Sequence, residues 1–171
     1  LLSSASIYDK TDRLFGPWGA LLNPLQGTLH SLLELQYSVD IMAEHKLIEN
    51  LHQYPVVVLP ECHKITDEVK THLLDYVRGG GKLLVIGVET ANLFKEQLGV
   101  TFEGQATETS AFVKAGNAMA WAGGVWQKVN TTTAKTIAER FKTQDGRGNG
   151  DVAATINSHG KGQISAIYGP F

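Results

Sequence analysis

Two uninterrupted apolar runs with one amphipathic stretch between them constrain this chain more than any other feature: VVVL at 56–59, TDEVKTHLLDYVRGGG at 66–81 and KLLVIG at 82–87. Apolar runs without polar alternation are what strands covered on both faces require, and such strands are typical of parallel sheets. The stretch between them reads as a helix. Thr66 stands as its N-cap, Asp67 and Glu68 place negative charge in its first turn, and Val69, Leu73, Tyr76 and Val77 fall on one face. Gly79, Gly80 and Gly81 stop it.

The same alternation continues on both sides. Residues 4–8 are short and partly apolar, and YSVDIM at 37–42 alternates as a strand does. In NPLQGTLHSLLELQ, Asn23 is placed as N-cap and Pro24 at the first helical position, with Leu25, Leu29, Leu32 and Leu33 on one face. AEHKLIENLHQY repeats that spacing through Leu47, Ile48 and Leu51, and TANLFKEQLG reads as a helix capped by Thr90 and closed by Gly99. Strand and helix in turn, with tight connections, predict a parallel sheet with helices on both faces. After Gly99 the texture changes to Thr, Gly, Ala and Trp. TSAFVKAG, MAWAGGVWQKV, AKTIAERFKT, DVAATINSHG and GQISAIYG predict strands, with DGRGNGD and HGKG as turns. The expected fold class is α/β, a parallel sheet flanked by helices with a β-rich C-terminal extension, in one domain over residues 1–171.

Composition excludes several functions. A chain of 171 residues with 43% hydrophobic content can bury a core without disulfides. A formal charge of -2 gives no electrostatic reason to expect nucleic acid or an anionic membrane as partner. The apolar runs are too short to span a bilayer, and LLSSASIYDK lacks the layout of a signal peptide, so a soluble piece is expected. The single cysteine, Cys62, excludes an internal disulfide and leaves cytoplasm, periplasm and secretion all open. The abrupt start at LLSSAS and the stop at IYGPF suggest a domain of a longer protein.

Strand-to-helix junctions are where parallel α/β folds gather functional groups. The first, YDKTDRLFGPWGALLNP, is long and holds Asp9, Asp12, Arg13, Phe15 and Trp18. It reads as a contact with a partner surface or ligand, or as a loop held shut by an Asp–Arg pair over packed aromatics. The second, LPECHKI, places Glu61, Cys62 and His63 together. A nucleophilic cysteine needs a lowered pKa and a base in reach, yet neighbours on an extended segment point apart, so His63 is poorly placed to serve Cys62. The other reading is a half-buried thiol acting as a small apolar residue. The third, GGKLLVIGVETANLF, has the strand, sharp turn and helix of a nucleophile elbow, with Glu89 in the turn. There Glu89 reads as a carboxylate favoured at a helix N-terminus or as a working acid. No P-loop, paired-cysteine spacing or His-Glu-x-x-His occurs, so no cofactor is expected. His45 and His52 lack a third ligand nearby, which argues against metal, and His30 and His72 read as surface or boundary positions. Trp121 and Trp126 flank a Gly-Gly pair and serve either as packing or as platforms for sugar rings.

Residues 54–94 resemble class I glutamine amidotransferases, in which an apolar strand ending near Pro is followed by a helix and a strand of the GKLLVIG kind, with the catalytic Cys in the next turn. Here that turn position falls on Glu89, and the late His-x-Glu pair of the family is missing, since His159 is followed by Gly160 and Lys161. The stretch YPVVVLPECHKITDEVKTHLLDYVRGGGKLLVIG also resembles the amidotransferase-like, or trimerisation, domain of bacterial β-galactosidases. The ending AKTIAERFKTQDGRGNGDVAATINSHGKGQISAIYGPF is similar to the close of that domain, with an Asn-x-x-Gly-Lys-Gly turn before the final strand. AMAWAGGVWQKV and the long first loop depart from it. The resemblance spans residues from about 4 to 171. It implies a flavodoxin-like, amidotransferase-like sheet in an accessory domain without catalytic residues, whose partners are a catalytic (β/α) barrel of the same protein, identical subunits or both. Two rival functions stay open: a hydrolase of the amidotransferase superfamily with a displaced Cys62 nucleophile, and a carbohydrate or small-molecule module using the first loop with Glu61, Glu89 and the tryptophans.

Overall fold

The computed structural model describes residue 1 and residues 19–170, with backbone only at 19–21. The strand expected at 4–8 and the loop residues Asp9, Asp12, Arg13, Phe15 and Trp18 lie outside the described residues. Among the described residues, four α-helices, α1 (Gly19–Glu34), α2 (Glu44–Asn50), α3 (Asp67–Gly79) and α4 (Val88–Leu93), combine with seven strands: β1 (Val56–Leu59), β2 (Lys82–Ile86), β3 (Val100–Ala115), β4 (Ala118–Thr131), β5 (Lys135–Phe141), β6 (Asp151–His159) and β7 (Gly162–Ile167). The strands form one sheet in the order β1-β2-β7-β6-β5-β3-β4.

The unit β1–α3–β2 forms as read. Thr66 caps α3 by accepting the Val69 N–H at 3.3 Å, and Gly80, at φ 123°, closes it. A left-handed closing turn suits glycine because it carries no Cβ. Val69, Leu73, Leu74 and Val77 are buried. They cover a row that crosses three strands: Val57 beside Leu83 beside Ile164, then Leu59 beside Val85 beside Ala166. Phe94 and Ala91 of the α4 segment join the same core. On the opposite face, Val58 and Leu84 look toward Leu25, Leu29 and Leu32 of α1 across an apolar cavity of about 420 Å³.

Several expectations are corrected. The sheet is mixed: among the described residues only β1, β2 and β7 run parallel, and β6, β5, β3 and β4 are antiparallel. The C-terminal strands are no appendage either, because β7 inserts beside β2 in the middle of the sheet. Residues 37–42 are not a strand. Their alternation leaves Tyr37 and Ile41 exposed, and only residue 43 makes an isolated bridge. α1 begins before Asn23 and carries Pro24 inside. The strong helix formers Ala20, Leu21 and Leu22 extend it backwards at the cost of the hydrogen bond proline cannot donate. Leu33, placed on its inner face, is exposed. α4 starts at Val88, so Thr90 is an interior residue and not its cap.

The five later strands form, but β3 begins at Val100, well before the TSAFVKAG stretch read as its strand. β3 and β4 make a long hairpin with a bulge between Glu103 and Thr107. Gly104 sits there at φ 62°, a left-handed conformation that suits glycine. The N–H of Gln127 then donates to Tyr168 O at 2.9 Å. Trp126 fills a second, smaller core floored by Ala111, Ala138, Ala153 and Ala154. The small side chains leave room for the indole. Arg140 lies 5.3 Å over it and reaches Asp151 at 3.4 Å.

Candidate functional site

β1 and β2 are parallel neighbours, so the segments that leave their C-terminal ends emerge side by side. This brings Glu61 and Cys62, after β1, against Gly87, Glu89 and Thr90, after β2. Thr90 is the knot. Its fully buried Oγ1 accepts the Cys62 N–H at 2.7 Å and directs its one proton toward the carbonyls of Cys62 at 3.2 Å and Pro60 at 3.3 Å. Buried backbone groups need such partners, and here a side chain of one junction supplies them to the other. Glu61 folds over Gly87, whose φ of 94° and lack of a side chain permit the approach: a Cβ there would lie 2.5 Å from the Glu61 carboxyl carbon. The Glu89 N–H points to Glu61 Oε1 at 3.5 Å. The carboxylate set against this backbone N–H of the turn is therefore that of Glu61, while the Glu89 side chain is exposed.

Cys62 is buried, and burial pushes its thiol up to about 11. The hydrogen bond from Thr90 pulls it down but less than burial raises it, and the carboxylates of Glu44 and Glu89 add smaller upward pushes. Low dielectric and negative neighbours both disfavour a thiolate, the reverse of what a nucleophile needs. His63 is half-buried at the same junction. His30, His45, His52 and His72 are exposed. Among the described residues no group of three or more His, Cys, Asp or Glu is placed to hold a metal ion, and no helix is long and apolar enough to cross a membrane. The two tryptophans separate: Trp126 is core, whereas Trp121 is 65% exposed, its ring lying against Gly123.

Sequence reasoning missed Thr90 and Gly87 as structural partners of the other junction. It also missed Asn157, whose amide donates to Gln97 O at 2.8 Å and whose Oδ1 accepts from Thr133 at 3.1 Å. Thr90 left one usable trace, a β-branched polar residue on the apolar side of a predicted helix.

Fold and junction geometry define a class: a mixed α/β domain with its strand-end turns locked to one another. Within that class, residues 28–106 match the family model of the β-galactosidase trimerisation domain. Among solved structures, the chain superimposes on the cold-adapted β-galactosidase from Rahnella sp. R3 with a TM-score of 0.74 at 18% identity, over 98% of this chain and 27% of that one. A GH42 β-galactosidase from G. stearothermophilus gives 0.67 at 15% identity, over 91% and 25%. A cytoplasmic protein from Salmonella typhimurium LT2 gives 0.62 at 18% identity, over 83% and 74%. The chain thus spans about a quarter of the length of these β-galactosidases. No curated protein matches it by sequence.

Proposed function

We propose that residues 1–171 form a single amidotransferase-like domain, a piece of a larger bacterial glycoside hydrolase of β-galactosidase type, that is not itself catalytic and mediates association between domains or subunits. The observation that carries this reading is the match of residues 28–106 to the trimerisation-domain family. Superposition on a quarter of each β-galactosidase supports it, because in those chains the fold is a part and not the whole. The flavodoxin-like assignment rests on the β1–α3–β2 unit and the sharp turn at Gly87. The buried, protonated Cys62 supports the non-catalytic reading. Partner contacts are assigned to Asp9, Asp12, Arg13, Phe15 and Trp18, with Glu61 and His63 as further candidates, on the mix of aromatic anchors and charged rim that protein interfaces use. The test is an assay of the 171-residue chain with a chromogenic β-galactoside. No turnover is expected, and turnover abolished by Cys62→Ala or Glu89→Gln in a folded protein would overturn the reading.

A second reading, a carbohydrate-binding role, is favoured by one observation, the exposed Trp121 lying along Gly123. An exposed indole ring offers an apolar face on which a sugar can stack. Titration with galactosides should quench tryptophan fluorescence if Trp121 binds them, and Trp121→Ala should remove the response.

A further inference from the structure

We draw no further inference here: the strongest candidate, the apolar cavity between α1 and the β1 edge of the sheet with exposed Tyr37 and Val56 in its wall, carries nothing because nothing in the structure shows what covers it.

Discussion

Thr90 serves two junctions with one hydroxyl, and replacing it by Val keeps the shape while leaving the Cys62 N–H buried without an acceptor. An unsatisfied buried donor costs about 1–3 kcal/mol. Urea denaturation of Thr90→Val should show a loss in that range, and Thr90→Ser, which keeps the oxygen, a smaller one. Cys62 gives a pH prediction. Its thiol titrates near 11 in the folded chain against 9.0 as its ordinary value. The folded state therefore holds the proton more tightly. The stabilisation is complete below pH 9 and is lost as pH rises through 11, by an amount on the order of 3 kcal/mol. Iodoacetamide labelling at neutral pH should accordingly be slow in the folded protein and fast after unfolding, and Cys62→Ala should remove the alkaline loss. Little of this was legible in the sequence. Cys62 was conspicuous as the lone cysteine, but the residue that fixes its backbone is twenty-eight positions away, and pairing between two loops leaves no periodic mark on either.

At the scale of elements, the HGKG turn read from the sequence acquires a physical reason. It docks on the end of α3: Lys161 N–H donates to Arg78 O at 3.0 Å and Gln163 N–H to Gly81 O at 3.2 Å. A Cβ on Gly162 would overlap the carbonyl oxygens of Gly81 and Val77, which are backbone and cannot swing aside. Gly162→Ala should cost about 1–3 kcal/mol or more by chemical denaturation, with β7 or α3 displaced. Gly104→Ala, at φ 62° with open space around it, should cost about 1 kcal/mol from backbone conformation alone. What the sequence revealed at this scale follows from where burial is one-sided or complete. The helix α3 was legible to its caps because Thr66, the acidic first turn, the inward face and the glycines agree, and β1 and β2 were legible as unbroken apolar runs. The segment 37–42 was misread because alternation records only a pattern, and no described strand lies beside it to pair with. The start of α1 was misread because Asn23-Pro24 is a strong local signal that two preceding leucines and an alanine outweigh. That β7 would enter the sheet centre was illegible, since strand order is a long-range choice.

For the whole molecule, the mixed sheet places a parallel, helix-covered half beside an antiparallel half with its own small core around Trp126. Both halves share β7, which pairs in parallel with β2 and antiparallel with β6. The turns that follow β1 and β2 are tied to one another through Thr90. If Phe15 and Trp18 contribute the aromatic anchors of the association, Phe15→Ala with Trp18→Ala in the full-length protein should weaken assembly far more than it lowers the melting temperature of the isolated chain. A loss of several kcal/mol in the isolated chain with assembly intact would assign them to the core. The proposed role, a non-catalytic domain that holds parts of a larger enzyme together, is met most directly by sedimentation equilibrium of the longer protein this proposal implies, with and without residues 1–171, followed by hydrolysis assays on both forms. The deletion should lower the oligomeric state or destabilise the remaining enzyme, while Cys62→Ala and Glu89→Gln should leave turnover within about twofold of the parent. An unchanged oligomeric state together with unchanged stability of the remaining enzyme after deletion, or a fall of several orders of magnitude in turnover for either substitution in a folded protein, would contradict it.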